Sequence, residues 1–250
     1  MADGTDLTNG GIVMQSSVTR RSFVHAMGVG AGAAAGLAAL EAHGAESAEG
    51  TVKIIGVSCS PRKGKTTVQA LAICLEAAKA ASQDRIETEL VELADLEIPG
   101  YVAAGIPLKP GQKDDFPEIA AKLADRQVAG IIIGTPVYFG SMTSLCKALL
   151  DRCISLRMKQ FVLANKVGGV VAVGGVRNGG QELTIQGVQA ALLCQEMVLV
   201  GDGRPTGHWG ATVWNNGKDN ISQDEFGLAT VKNLGRRVAE VALRLRGLAR

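Results

Sequence analysis

From Val52 onward, short runs of apolar residues alternate with longer stretches in which apolar residues recur at helical spacing. In the first run, Val52–Ser58, the apolar residues Val52, Ile54, Ile55 and Val57 are nearly continuous, which is typical of a strand that is covered on both faces of a sheet. Beyond Thr66 the apolar residues Val68, Leu71 and Leu75 fall on one helical stripe instead. This pattern predicts a buried strand that turns through a short loop into a helix.

The same alternation continues to the end of the chain and predicts five strands and five helices. The remaining strands are predicted at residues 86–93, 130–134, 167–173 and 197–201. The helices are predicted at about residues 66–82, 115–126, 143–156, 181–196 and 226–248. This alternation indicates an α/β fold with a doubly wound parallel sheet and helices on both faces. We expect the strand order 2-1-3-4-5, with the glutamate-rich second strand near an edge.

The loops after the first, third and fourth predicted strands are rich in glycine, serine and threonine. In the expected order these strands are neighbours, and ligands of such sheets bind beyond the carboxyl ends of the strands. The three loops should therefore form one site. A long connection at residues 94–113 exceeds the usual loop length, which favours a functional role. Residues 202–224 are expected to be irregular.

The loop after the first strand combines hydroxyl side chains with cations. Its candidate ligand-binding residues are Ser58, Ser60, Arg62, Lys65, Thr66 and Thr67. A strand that turns sharply into a helix leaves free backbone N–H groups at the helix start, and the helix dipole favours an anion there. These groups together favour a phosphate ester as the ligand. The alternative is an ordinary strand–helix turn with a serine or threonine cap.

Two familiar phosphate-binding motifs are incomplete in this loop. A P-loop requires G-x-x-x-x-G-K-[ST]; Gly64-Lys65-Thr66 supplies its end, but Cys59 occupies the place of its first glycine. The third strand ends in Gly134-Thr135 without a magnesium-binding aspartate. The dinucleotide pattern G-x-G-x-x-G is absent from this turn. A mononucleotide phosphate held by hydroxyls and N–H groups remains, and a P-loop nucleotide hydrolase is kept as the alternative of another class.

Three motifs resemble those of one enzyme family. Ser60-Pro-Arg-Lys-Gly-Lys-Thr-Thr67 resembles the S-P-R-K-x-G-N-T phosphate loop of the NADPH-dependent FMN reductase family. The chain also resembles a second motif of that family, at residues 134–142, Lys147 and Asp151-Arg152. A third, especially that of the iron–sulfur flavoprotein branch, is resembled by Gly174-Gly175 and Gly179-Gly-Gln-Glu182. The resemblance covers about residues 52–250.

The resemblance implies a flavodoxin-like fold with five strands and an FMN cofactor. The phosphate would be held by Ser60, Arg62, Lys65, Thr66 and Thr67, beside Ser58 at the strand end. The isoalloxazine ring and ribityl chain would lie against Pro136, Val137, Tyr138, Phe139, Gly140 and Ser141. The pyrimidine edge of the ring would face the loop that contains Gly174, Gly175, Gly179 and Gly180. No catalytic side chain is expected, because the flavin carries the redox chemistry.

The chain departs from the family in two places. Lys65-Thr66 stands where Gly-Asn is usual. The iron–sulfur branch carries a compact cysteine cluster after the second strand, whereas residues 100–107 contain no cysteine. None of the five cysteines forms a C-x-x-C pair, which argues against zinc, a cluster or a disulfide framework. We therefore predict FMN without an iron–sulfur cluster and without a metal site.

The resemblance further implies an NAD(P)H-dependent FMN oxidoreductase. It would accept hydride from NAD(P)H and reduce a quinone, a flavin or another small-molecule acceptor, as a homodimer or homotetramer. An exported FMN electron carrier that a protein partner reduces is the alternative. The formal net charge of +2, without a basic run, gives no indication of a nucleic-acid partner.

Several residues outside these contacts have two interpretations. The adjacent Asp151 and Arg152 are expected to pair with each other on the side of a helix rather than to act in catalysis. Arg177 could meet the phosphate of a nicotinamide cofactor or simply lie exposed beside a turn. His208 is a lone histidine in the long segment at residues 202–224, and a catalytic role is the alternative for it. Trp209 and Trp214 could pack this segment or lie over the flavin of a neighbouring subunit.

The first fifty residues have a different pattern. Thr19-Arg-Arg-Ser-Phe-Val24 precedes a weakly apolar stretch at residues 26–40, which matches a twin-arginine export signal and is too short for a stable membrane span. We predict a signal peptide and linker at residues 1–50 and an FMN-binding domain at residues 51–250. The protein would be exported or periplasmic without stable membrane insertion, and cytoplasmic if the signal is not used. A tail with a chance arginine pair is the alternative.

Overall fold

The computed structural model of the protein describes residues 50–248. The twin-arginine segment and the apolar stretch after it lie outside the described residues. In chain order the elements are β1 (Val52–Ser58), α1 (Thr66–Ala81), β2 (Ile86–Glu92), a 3-10 turn (Gly100–Ala104), α2 (Phe116–Ala124), β3 (Val128–Pro136), α3 (Ser144–Arg152), α4 (Ile154–Met158), β4 (Val167–Gly174), α5 (Gln181–Leu193), β5 (Val198–Leu199), β6 (Ala211–Trp214) and α6 (Glu225–Leu245).

The strands form one parallel sheet in the order β2-β1-β3-β4-β5, which confirms the predicted flavodoxin-like order. β2 lies at an edge, as its glutamates predict. Side chains alternate between the two faces of the sheet. Ile55 and Ile131 share a core layer with α2, α3 and α5, whereas Ile54 and Ile132 share one with α1 and α6. The two layers explain why the central strands are apolar at nearly every position.

The sheet also has a sixth strand that the sequence pattern did not indicate. β5 pairs with β4 only at Val167 and Gly168, and β6 pairs with the rest of β4 from Val171 to Gly174. The predicted fifth strand at residues 197–201 is therefore too long, and residues 202–224 are not wholly irregular. β6 alternates buried and half-buried side chains over only four residues, too short a pattern to stand out in a glycine-rich segment.

The helices differ from the predicted ones mainly at their ends. The predicted helix at residues 143–156 is divided into α3 and α4, which meet at Cys153. α5 ends before residue 196, and Glu196 takes a left-handed conformation with φ 59°. Within residues 50–248, none of the helices is both long enough and apolar enough to cross a membrane.

α1 lies close to the sheet because Gly134 faces it without a side chain. A Cβ atom on Gly134 would lie 2.6 Å from Leu71 Cδ1 and 3.1 Å from Thr67 Cγ2. On its other side α1 meets α6, where Gly235 lies directly against the carbonyl of Cys74. This tight packing fixes the start of α1 beside the carboxyl ends of β1 and β3.

Candidate functional site

Three loops meet at the carboxyl ends of β1, β3 and β4. We name them the phosphate loop (residues 58–67), the aromatic loop (residues 136–142) and the glycine loop (residues 174–180). The N–H of Cys59 donates to the carbonyl of Gly134 at 2.8 Å, and the Thr143 hydroxyl donates to the carbonyl of Cys59 at 2.8 Å. The N–H of Val137 donates to the carbonyl of Val173 at 2.9 Å. The candidate residues of the three motifs therefore lie along one edge of the sheet.

The phosphate loop folds around the start of α1. The Ser60 hydroxyl accepts a hydrogen bond from the N–H of Arg62 at 3.1 Å. Thr66 and Thr67 are buried in the first turn of the helix. Lys65 is the N-cap residue of α1, and no side chain among residues 50–248 forms a capping hydrogen bond there. Its free N–H groups and the helix dipole therefore suit an anion.

A segment after β6 that sequence reasoning left without a role contacts the phosphate loop. Arg62 donates through both terminal nitrogens to the carboxylate of Asp219, at 2.7 Å and 3.0 Å. Lys65 Nζ lies 3.4 Å from the same carboxylate, and Asn215 Nδ2 donates to Thr66 Oγ1 at 3.4 Å. The hydrogen bond from Arg62, with the charge of Lys65 beside it, lowers the pKa of Asp219. Both candidate phosphate-binding cations thus face an internal carboxylate.

The aromatic loop is a tight hairpin that presents its tip to solvent. The N–H of Tyr138 donates to the carbonyl of Ser141 at 2.9 Å, and the N–H of Ser141 donates back at 3.1 Å. Phe139 and Gly140 both have positive φ, 51° and 70°, which glycine adopts freely and phenylalanine rarely. Tyr138 and Phe139 are exposed, whereas Val137 is half-buried at the base.

Gln181 holds the glycine loop in shape. Its buried side chain accepts a hydrogen bond from the N–H of Gly179 at 2.8 Å. Gly180 has φ 93°, and a Cβ atom on it would lie 2.9 Å from Gly140 Cα, so the glycine and aromatic loops touch. At Gly175 no described atom lies within 4 Å of a Cβ position, which leaves room beside the loop for a ligand. Gln181 belongs to the third sequence motif, but its residue type gives no direct sign of a binding role.

The donors at this edge fit a phosphorylated, flat ligand such as FMN. The Ser58 hydroxyl at the end of β1 and the indole nitrogen of Trp214 at the end of β6 are buried without a hydrogen-bond partner among the described residues. Buried polar groups normally have a partner, so both are available to a ligand. The uncapped start of α1, Arg62 and Lys65 supply the further donors that a phosphate requires.

A cleft of about 370 Å³ flanks the glycine loop between the starts of α5 and α6. Arg177 lines it and forms an ion pair with Asp224, the residue that caps α6. His208 also lines it, and its backbone N–H donates to the buried Asp202. The His208 ring meets Phe226 edge-on, with ring centres 5.4 Å apart. Arg177 and His208 therefore each have a partner within the chain.

Asp151 and Arg152 do not form the expected pair, because adjacent residues do not face each other on a helix. Arg152 instead binds both oxygens of Asp114, at 2.9 Å and 2.7 Å, and donates to the carbonyl of Pro99 at 3.2 Å. Its guanidinium lies 4.6 Å from the centre of the Phe116 ring. Arg152 lies on α3, and through these contacts it holds the long connection before α2 against that helix.

The cysteines form no metal-binding group in the part of the chain that the structure describes. Cys59, Cys146 and Cys153 lie in one core layer, Cys74 lies in the other, and Cys194 is exposed. Hydrogen bonding with Cys146 and burial raise the pKa of Cys59, and burial raises the pKa of Cys153 to about 12. Both thiols are therefore protonated at neutral pH and serve as core side chains.

Comparisons with known proteins match the same region of the chain. The model of the family described as NADPH-dependent FMN reductase matches residues 52–209. An iron–sulfur flavoprotein of Methanocaldococcus jannaschii is 43% identical over 76% of this chain and 97% of that protein. One of Methanosarcina thermophila is 37% identical over 76% of this chain and 95% of that protein. An NAD(P)H dehydrogenase (quinone) of Chromohalobacter salexigens is 31% identical over 64% of this chain and 84% of that protein.

Solved structures support the fold at lower sequence identity. RosB with a bound 8-demethyl-8-formylriboflavin-5'-phosphate has a TM-score of 0.61 at 16% identity, over 79% of this chain and 81% of that one. A flavodoxin, WrbA-like protein of Agrobacterium tumefaciens has a TM-score of 0.56 at 19% identity, over 78% of this chain and 99% of that one.

Proposed function

Because the chain belongs to the NADPH-dependent FMN reductase family, we propose that its phosphate, aromatic and glycine loops hold FMN. The chain is an NAD(P)H-dependent FMN oxidoreductase, with FMN as cofactor and NAD(P)H as electron donor. One observation carries the assignment of the site. The uncapped start of α1 has free backbone N–H groups and two buried threonines, and the loop that leads into it carries Arg62 and Lys65, a donor set that suits a phosphate monoester.

At the phosphate, hydroxyls and cations have separate roles. The Ser60, Thr66 and Thr67 hydroxyls and the N–H groups of the first turn of α1 fix the position of the phosphate. Arg62 and Lys65 balance its charge. Lys65 replaces the small residue that is usual in the family, so charge contributes more to phosphate binding in this chain.

The aromatic and glycine loops orient the ring. Pro136 and Val137 offer an apolar base, and the open space at Gly175 lets the backbone approach a flat ligand. The contact between Gly140 and Gly180 keeps the two loops together. FMN supplies the hydride and electron chemistry when bound. The chain binds the cofactor and orients it.

The electron acceptor is proposed to be a quinone, a free flavin or another small molecule. Oxidised flavin absorbs visible light and loses this absorbance on reduction. Anaerobic addition of NADPH, and separately of NADH, to the purified full chain should therefore bleach the visible absorbance of the bound flavin. Addition of a quinone should then restore this absorbance. A chain that neither retains nor takes up FMN would refute the proposed site. FMN that neither nicotinamide reduces would instead favour the electron carrier.

An iron–sulfur cluster does not fit the cysteines of this chain, although several relatives are named iron–sulfur flavoproteins. Such clusters are held by grouped cysteine thiolates. Here Cys59, Cys146 and Cys153 share one core layer as buried side chains. Cys74 lies on the opposite face of the sheet, Cys194 is exposed, and residues 100–107 contain no cysteine, so no four thiolates come together in the described part of the chain. We propose FMN alone, and iron and acid-labile sulfide assays of the purified protein should find neither in stoichiometric amount.

Exposed apolar side chains beside the ring loops support a homodimer or homotetramer. Tyr138, Phe139, Val176, Leu183 and Trp209 are all exposed, and clustered exposed apolar groups are typical of an interaction site. A second copy of the chain is the proposed occupant. Size-exclusion chromatography with light scattering should give an oligomer for the wild type and a smaller species for Phe139→Glu. An unchanged mass for the variant would contradict this interface.

Export through the twin-arginine route is proposed from the motif at Arg20 and Arg21. If the signal is used, the scarcity of reduced nicotinamide outside the cytoplasm would favour the alternative of an FMN electron carrier that a protein partner reduces; if the signal is not used, NAD(P)H is the donor. Fractionation of cells that express the full chain should recover the protein outside the cytoplasm, and Arg20→Lys with Arg21→Lys should retain it inside. Equal distribution of the two forms would contradict export by this route.

A further inference from the structure

The phosphate loop contains a carboxylate that competes for the donors of a phosphate. Arg62 Nη2 lies 2.7 Å from one oxygen of Asp219 and Nη1 lies 3.0 Å from the other. This is the parallel two-point geometry by which a guanidinium also binds a phosphate. Lys65 Nζ adds a third contact at 3.4 Å. The same cations cannot present these N–H groups fully to both anions.

Charge balance favours exchange of one anion for the other. Arg62 and Lys65 together carry two positive charges, and Asp219 neutralises one of them. A phosphate monoester brings about −1.5 to −2 at neutral pH. For these four groups alone, the sum would be negative with Asp219 in place and close to zero with Asp219 displaced. Among the described residues, the other charged groups at the loop are the Lys63–Asp95 pair and Glu92, which accepts a hydrogen bond from the N–H of Gly64.

The segment that carries Asp219 lies outside the strands of the sheet. It lies between β6, which is paired with β4, and the buried Ile221 that precedes α6. Its carboxylate is about one-third exposed, at 36%, so the two ion pairs are within reach of water and of an incoming ligand. Exposed pairs of this kind contribute little to stability.

We infer that Asp219 is an internal competitor for the phosphate of FMN, and that it sets the preference of the site between FMN and riboflavin. The inference rests on the proposed FMN site. When a flavin lacks the phosphate, Asp219 keeps Arg62 and Lys65 paired. When the phosphate is present, it replaces the Asp219 carboxylate. Asp219 therefore narrows the difference in affinity between the two flavins.

Removal of the negative charge tests this role by binding alone. The full chain is freed of bound flavin and titrated with FMN, and separately with riboflavin, while quenching of flavin fluorescence is followed. Asp219→Asn should lower the Kd for FMN about three- to tenfold at low salt, with a smaller gain at high salt because exposed charges are screened. The Kd for riboflavin should change less than about twofold.

Asp95→Asn is the matched control, because Asp95 pairs at 3.0 Å with Lys63, the loop cation that is not assigned to the phosphate. It should leave the Kd for FMN within about twofold of the wild type. If Asp219→Asn and Asp95→Asn increase the affinity for FMN equally, the effect comes from the overall charge around the site, and the inference is overturned. Weaker FMN binding by Asp219→Asn would also overturn it and would make Asp219 a positioning residue for Arg62.

A double substitution tests whether the gain passes through Arg62. In an Arg62→Ala background, Asp219→Asn should retain only the part of the gain that Lys65 provides. If Asp219→Asn increases the affinity for FMN as much in this background as in the wild type, Asp219 and the phosphate do not compete for the Arg62 guanidinium. If wild-type protein binds neither flavin, the proposed function itself fails. If it binds FMN and Asp219→Asn changes nothing, only this inference fails.

Discussion

Arg152 and Arg62 make the same two-point contact with an aspartate in opposite surroundings. The Arg152 and Asp114 side chains are 8% and 11% exposed, whereas those of Arg62 and Asp219 are 49% and 36% exposed. Arg152 also has a carbonyl acceptor and an aromatic ring against its guanidinium. The first pair lies beneath the long connection before α2, and the second lies where the phosphate of FMN is proposed to bind.

The difference teaches that burial decides what such a pair can do. In a buried pair, loss of one partner leaves a charge without water or counter-charge, so the pair cannot be opened cheaply. An exposed pair is solvated whether it is formed or not, and its net contribution is small. The chain places a permanent pair in its framework and an exchangeable one in its site.

Arg152→Ala should have the largest effect on stability. It leaves the Asp114 carboxylate buried and unpaired, which costs about 3–5 kcal/mol of unfolding free energy. Urea unfolding followed by circular dichroism measures the loss. Asp114→Asn keeps a hydrogen-bonding group and provides a milder variant if the first does not fold. Losses below about 1 kcal/mol in both variants would place the buried pair in the same class as the exposed one.

Arg62→Ala should leave the stability nearly unchanged but weaken FMN binding strongly. Its unfolding free energy in the absence of flavin should stay within about 1 kcal/mol of the wild type. Its Kd for FMN should rise about ten- to a hundredfold, because a charge-assisted hydrogen bond contributes about 1.5–3 kcal/mol. Riboflavin binding is the control and should change little. Equal weakening for both flavins would mean that Arg62 shapes the site rather than binds the phosphate.

The fold and the three loops could be predicted because they depend on local patterns. Apolar runs mark the strands that are buried on both faces, and glycine, serine and threonine mark the loops at their ends. β6 could not be predicted, because its burial alternates over four residues within a polar segment. The division of the helix at Cys153 depends on packing that periodicity does not record.

The partners of the two arginines could not be predicted, because they are distant in sequence. Arg62 and Asp219 are 157 residues apart, and Arg152 and Asp114 are 38 residues apart. The sequence neighbour Asp151 was the wrong partner for Arg152, because successive residues on a helix point in different directions. Polar residues in long connections have no periodicity that would reveal their partners.

Lys166 extends the comparison to a buried cation that binds backbone carbonyls. Its Nζ donates to the carbonyls of Leu123 at 2.8 Å and Asp125 at 2.7 Å, and burial lowers its pKa to about 8. The unfolded chain, with a lysine pKa of about 10.4, binds more protons above pH 8. The contribution of Lys166 to the unfolding free energy should therefore rise with pH from about 8 to about 10.4, by at most about 3 kcal/mol. The raised pKa of the buried Cys59 and Cys153 changes the unfolding free energy in the opposite direction over this range.

Urea unfolding across this pH range measures the rise, with Lys166→Met as the comparison. The variant lacks the titrating lysine but keeps the cysteines, so the unfolding free energy of the wild type relative to that of the variant should rise with pH, whatever the absolute stability of the variant. Parallel pH profiles for the two proteins would show that Lys166 is solvated well enough to titrate normally. Burial would then not explain a difference between the cations of the protein core and those of the proposed FMN site.

Asp151→Asn should have the smallest effect, although Asp151 is the sequence neighbour of Arg152. Its carboxylate pairs at 2.6 Å with Lys147 one helical turn earlier, and both side chains are exposed. Such pairs contribute at most about 0.5 kcal/mol, and this one does not contact the proposed FMN site. Urea unfolding should place this variant within about 0.5 kcal/mol of the wild type, with an unchanged Kd for FMN. A loss comparable to that of Arg152→Ala would mean that the two residues act together, and exposure would no longer explain why one can be replaced and the other cannot.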